Sequence, residues 1–208
     1  MRAKLFAVGL SVTTVLAGAA QAQAPAQQPT PTQDSDATWR QCANGIVDPD
    51  AAIKACNAII QSGQESRANL SRALTDRSTA YANKGRNDLA IDDLTHAIEA
   101  DPGNVTALKL RGDLYGRVRR YDLAAADYDH AVQMDPTDGD AYGGRGLAYF
   151  SEGKYELAIA DCDRAIKLNP QDVMSYYVRG LAKKRTGDDA GGTADLVQAR
   201  QLDPKIGQ

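Results

Sequence analysis

Three cysteines and two histidines are the most reactive side chains in this sequence, and their spacing limits what they can do. Cys42 and Cys56 flank a predicted turn without C-x-x-C spacing, so neither thiol exchange nor zinc capture has its usual arrangement. In an oxidising compartment the pair would form a disulfide. Closing a loop of that length contributes about 3 kcal/mol on the chain-entropy account. Cys162 is left over and predicted to be a buried free thiol. His96 and His130 are predicted to stack on an exposed helical face. Two imidazoles fall short of the three or four protein ligands that zinc takes, so no metal site and no cofactor are expected.

The carboxylates are numerous, but the recurring ones read as architecture. Asp93, Asp127, Asp161 and Asp195 follow one another at intervals of 34 residues, and so do Arg77, Arg111, Arg145 and Arg179. A charge in register with a repeat is explained by the repeat. The expectation is an Arg–Asp ladder, each Asp pairing with an Arg of its own or the next unit. No odd, unrepeated carboxylate stands out, and there is no G-x-S-x-G, phosphate-binding loop, dinucleotide glycine set or H-E-x-x-H. Enzymatic function is therefore not expected.

The elements that carry these residues are set by a 34-residue period. Pro102, Pro136, Pro170 and Pro204 mark it, inside the phrases AIEADP, AVQMDP, AIKLNP and ARQLDP. Upstream, DRSTAY, LRGDLY, GRGLAY and VRGLAK recur at the same interval. Over residues 71–206 this resembles the tetratricopeptide-repeat (TPR) family. The resemblance implies an all-α, right-handed solenoid of helix-turn-helix repeats. Ser78, Gly112, Gly146 and Gly180 should let the paired helix approach, meeting Ala90, Ala124, Ala158 and Gly192. Tyr81, Tyr115 and Tyr149 should fill the space beside that contact, with Lys183 breaking the series. Leu94, Tyr128, Cys162 and Leu196 should be buried, with Ala97, Ala131, Ala165 and Ala199 on the same face. Gly85, Gly153 and Gly187 favour the inter-helix turn, where Arg119 replaces glycine. The prolines end each second helix.

The expected organisation is a signal peptide (1–22), a disordered Gln/Pro/Thr linker (23–37), a degenerate N-terminal capping hairpin (38–70) and four repeats (71–104, 105–138, 139–172 and 173–206). Arg2 and Lys4, the uncharged stretch from Leu5 to Ala19 and the A-x-A site Ala20-Gln21-Ala22 have the layout of a secretory signal cleaved after Ala22. That predicts a secreted or periplasmic protein with no stable membrane anchor. The mature chain would carry 22 basic and 27 acidic side chains, net −5. This balance argues against general nucleic-acid binding. Too few residues follow Pro204 for a capping helix, so homo-oligomers through an uncapped C-terminal repeat are one expectation.

TPR arrays line their concave surface with one face of the first helices. Carried over position by position, the resemblance implies a partner-binding surface that includes Lys109, Asp113, Arg117, Leu147, Phe150, Tyr177, Leu181, Lys184 and Arg185. These positions vary between units while the packing positions stay alike. Leu147, Phe150, Tyr177 and Leu181 would form an exposed apolar patch. Thr75 and Thr79 stand where a two-carboxylate clamp would need Lys and Asn, so that type of recognition is not implied. The expected function is a non-catalytic adaptor or scaffold that holds a protein or peptide ligand in this groove. A structural, self-associating subunit is the alternative, and a thiol enzyme a remote third.

Overall fold

The computed structural model describes residues 33–208; the expected signal peptide and residues 23–32 of the linker lie outside the described residues. Ten helices follow one another: α1 (Gln33–Cys42), α2 (Pro49–Ser62), α3 (Arg67–Asn83), α4 (Asn87–Ala100), α5 (Val105–Arg117), α6 (Tyr121–Met134), α7 (Gly139–Ser151), α8 (Tyr155–Leu168), α9 (Val173–Arg185) and α10 (Asp189–Leu202). No strand occurs among the described residues. Helix α1 begins inside the stretch expected as linker. Trp39 and Cys42, one turn apart, tie it to a cluster with Ala55, Cys56, Ile59 and Ala73.

Local chemistry sets the helix boundaries. Ser66, Asn104, Asp138 and Asp172 cap α3, α5, α7 and α9, each accepting from a backbone N–H in the first turn. Asp101, Asp135, Asn169 and Asp203 end the second helices in extended conformations, as residues preceding proline must. The turn within each repeat needs a left-handed residue, filled by Gly85, Gly153 and Gly187 and, at φ 63°, by Arg119.

Small residues set the distance between paired helices. Ala90, Ala97, Ala124, Ala131, Ala158, Ala165 and Ala199 are all buried. In the last repeat a Cβ on Gly180 would lie 2.9 Å from the carbonyl oxygen of Gly192, so two glycines permit that approach. Neighbouring first helices touch (α3 with α5, α5 with α7, α7 with α9), whereas neighbouring second helices do not. The stack therefore curves with the first helices on its inner side.

The outward face of the second helices changes at the C-terminal end. Outward positions of the earlier second helices are largely apolar (Ile91 and Ile98 on α4, Ala125 and Val132 on α6, Ile159 and Ile166 on α8), but α10 carries Thr193 and Arg200 there. Val197 is the exposed apolar side chain left on that helix, at 47 %. The tail turns after Pro204, with the Ile206 N–H donating to the Asp203 carbonyl and Gly207 lying on the Tyr177 ring. Leu196, expected to be buried, is half-buried.

At the other end, the Cys42 and Cys56 sulfurs lie 2.10 Å apart within the α1–α2 hairpin. The expected result of Cys42→Ser is a local loss of about 2–4 kcal/mol, the range for a native disulfide. Hydrogen exchange should show it first over residues 33–62, since a linear array loses its ends locally. Native protein that reacts with more than one thiol equivalent would show that the bond is not formed.

Candidate peptide-binding groove

The charge ladder closes within each repeat and also reaches the repeat before it. Arg77, Arg111, Arg145 and Arg179 each grip one aspartate of their own unit with Nε and Nη2: Asp93, Asp127, Asp161 and Asp195, at 2.6–2.8 Å. The remaining Nη1 donates backward, to Asn57, Thr95, Asp129 and Asp163 respectively. Each guanidinium thus sets the angle between two hairpins. It also lies over a tyrosine ring, that of Tyr81, Tyr115 or Tyr149 in the first three repeats and that of Tyr176 in the fourth. Lys183, where that series breaks, instead places its ammonium 2.9 Å from Asp195.

With hairpin angles held, the inner faces of α5, α7 and α9 form a groove. One cavity of about 550 Å³ lies between α5 and α7, lined by Asp113, Arg117, Tyr121, Tyr128, Leu147 and Ser151 among others. A second, of about 440 Å³, adjoins it toward α9 and includes Lys109, Asp140, Asp172 and Met174. Asp113, Tyr128, Gly144 and Leu147 line both.

Tyr128, which the sequence presents as packing alone, lines both cavities. Its ring passes between α5 and α7, where a Cβ on Gly144 would come within 2.3 Å of it and one on Gly112 within 2.9 Å. The hydroxyl emerges at the groove floor and donates to Asp113 Oδ1 at 2.5 Å. Burial, reinforced by the Asp113 charge, pushes the phenol well above its ordinary pKa, so it remains a donor. The signal was available in the double glycine Gly143-Gly144 inside a helix, where each glycine costs about 1 kcal/mol relative to alanine.

Lys109, Asp113, Arg117 and Leu147 are brought together at these cavities, while Phe150, Tyr177, Leu181, Lys184 and Arg185 lie outside them. Lys109 is not free for a ligand as expected: its ammonium lies 2.6 Å from Asp138, the N-cap residue of α7. Thr75 makes the corresponding contact to Asn104 one unit earlier. Phe150 packs against the Tyr155 ring at 5.6 Å, and Tyr177 is covered by Gly207. Leu181 is half-buried, so the expected four-residue apolar patch reduces to Leu147. Lys184 and Arg185 are exposed at the C-terminal edge.

Asp113 and Asp76 are carboxylates without a counterpart in the other units, contrary to expectation; Asp76 stands where later units have Leu110, Gly144 and Val178. One Asp76 oxygen is buried without a hydrogen bond, and burial raises its pKa against the opposing pull of Arg72. Cys162 is buried and its thiol is pushed up to about 12, first by desolvation and then by Asp161, which leaves almost no thiolate at neutral pH. His96 and His130 are both exposed. Among the described residues no group of three or more His, Cys, Asp or Glu could hold a metal ion, and no helix is long and apolar enough to cross a membrane.

The tetratricopeptide-repeat family matches residues 71–104, 106–138 and 139–172. No curated protein matches the sequence. Among solved structures, MamA from Desulfovibrio magneticus RS-1 superposes with a TM-score of 0.73 at 18% identity, covering 86% of this chain and all of that one. The first TPR of Spaghetti (RPAP3), bound to the HSP90 peptide SRMEEVD, gives 0.56 at 27% identity over 57% of this chain and 94% of that one. YrrB, described as a TPR protein with an unusual peptide-binding site, gives 0.64 at 18% identity over 76% and 79%. With its 34-residue period, its ladder of arginines and its stacked helix pairs, the chain belongs to the tetratricopeptide-repeat proteins.

Proposed function

We propose that this protein is a secreted, periplasmic adaptor that holds a peptide or a helix of a protein partner in the groove formed by α5, α7 and α9. One observation carries the reading. Buried positions repeat from unit to unit, but groove positions do not, and where they depart furthest, around Asp113, Gly144 and Leu147, the inner face opens into two adjoining cavities. Leu147, 41 % exposed, supplies an apolar contact at their junction. Peptide recognition by Spaghetti and YrrB supports the class of ligand by fold-level analogy. The acidic mature chain fits a protein or peptide ligand better than nucleic acid. The unreactive thiol and the architectural carboxylates favour a non-catalytic role.

The test combines location with binding. Intact-mass analysis of protein from the periplasmic fraction should give Gln23 as the first residue; a soluble product retaining residues 1–22 would overturn the location. Leu147→Asp should weaken a partner captured from periplasmic extract by 2 kcal/mol or more, the scale of a hot-spot loss. His96→Ala and His130→Ala on the outer face should change its affinity by less than a factor of two. Loss at the histidines with none at Leu147 would move binding to the convex side.

A further inference from the structure

The groove centre differs from the rest of the array at three linked positions. Tyr128 stands where other units have Leu94, Cys162 and Leu196; Gly144 stands where they have Asp76, Leu110 and Val178; Asp113 stands where they have Thr79, Leu147 and Leu181. Leu94 with Leu110 fills the corresponding space one repeat earlier, so packing has no need of a phenol there. A phenol 5 % exposed requires a partner for its O–H. It finds Asp113, and the bond fixes that carboxylate at the groove surface through Oδ1. Asp113 makes no ion pair among the described residues, although Lys109 and Arg117 lie one turn to either side. Lys109 is held instead by Asp138. Asp140, 4.0 Å from the same ammonium, and Asp172, the cap of α9, line the same cavity. Leu147 and Met174, 41 % and 45 % exposed, form an apolar wall leading to it.

Granting that the groove binds peptide, we propose that its centre is a cation subsite that takes the side chain of a lysine or arginine in the bound segment. The aliphatic stem would lie on Leu147 and Met174, and the charged head would reach the Asp113 oxygen that Tyr128 leaves open. Tyr128 acts as a positioning residue, holding the carboxylate in place before the ligand arrives. The chain's own segment 23–38, QAPAQQPTPTQDSDAT, carries no Lys or Arg, so it cannot occupy the subsite in this way.

Phage-displayed dodecapeptides selected on the mature protein provide the probe. Wild type should select sequences with Lys or Arg at one fixed position. In a synthetic peptide of the selected sequence, replacing that residue by norleucine should weaken binding about tenfold for wild type and less than twofold for Asp113→Asn. Asp113→Asn keeps an acceptor for Tyr128 and should fold as wild type does. Tyr128→Phe should reduce the discrimination to an intermediate value. If the selected peptides lose binding with Leu147→Asp yet show no fixed cation, the subsite is wrong and the groove reading stands. Peptides that bind Leu147→Asp as well as wild type would overturn both.

Discussion

Gly144→Leu should destabilise the array by about 3 kcal/mol, at the upper end of overpacking costs, and Tyr128→Leu should restore most of that loss. A Cβ at position 144 would lie 2.3, 2.4 and 2.8 Å from three atoms of the Tyr128 ring. Gly112 closes on the other side of the ring, so the ring can yield only by leaving the space between α5 and α7. Helix propensity pulls the other way: replacing a mid-helix glycine should gain about 1 kcal/mol, and the steric term outweighs it. Tyr128→Leu alone should lose about 2–3 kcal/mol through the cavity it leaves beside Gly144. The double variant recreates the Leu94 with Leu110 arrangement of the previous repeat and should come within about 1 kcal/mol of wild type. A coupling of 2 kcal/mol or more in that double-mutant cycle, read by denaturant unfolding, is the expected signature. Additive single effects would show that the two residues do not share one space. The double variant also separates stability from binding: it should fold, yet lack the hydroxyl that holds Asp113.

The same pair shows what the sequence made legible and what it hid. Positions that pack within one repeat carry the same residue type each time, so the solenoid, its turns and its Arg–Asp rungs can be read from a single period. Ala97, Ala131, Ala165 and Ala199 need no structure to be recognised as buried. Compensation between repeats is different. Tyr128 looks like a packing residue in its own column and Gly144 like a weak helix residue in another; only their juxtaposition across α6 and α7 gives them one meaning. The Lys109 ion pair was hidden for a related reason, because its partner Asp138 is the N-cap of α7, an element that begins the following helix pair. Of the positions expected on the concave face, Lys109, Asp113, Arg117 and Leu147 border the two cavities. Phe150 and Tyr177 lie outside them, against neighbours that the repeat pattern does not predict.

The second large effect is expected at the ladder. Asp161→Ala should cost about 3 kcal/mol, whereas Asp163→Ala, two residues away and bonded to Arg179, should cost less than about 1 kcal/mol. The difference is burial. Arg145 and Asp161 have side chains 14% and 10% exposed and share two parallel hydrogen bonds. Removing one partner leaves a guanidinium largely cut off from water, the situation in which breaking an ion pair is strongly destabilising. Asp129 still accepts from Arg145, which holds the cost to the lower end of that range. Asp163 is 57% exposed, so water replaces it cheaply. Hydrogen exchange should place the Asp161→Ala loss in α7 and α8 and their neighbours, since the rung spans two hairpins. Acid should reveal the last rung. Burial alone would raise the Asp195 pKa, but hydrogen bonds from Arg179 and Lys183 outweigh it and hold the carboxyl below its ordinary value. A depressed carboxylate stabilises the fold above its unfolded pKa, about 3.9, and that contribution drains away as pH falls through the lower folded value. Wild type should therefore lose part of its stability below about pH 4, and Asp195→Asn should be less stable at pH 7 with a flatter acid limb. An acid limb identical in the two proteins would mean that the Asp195 rung does not couple protonation to the stack.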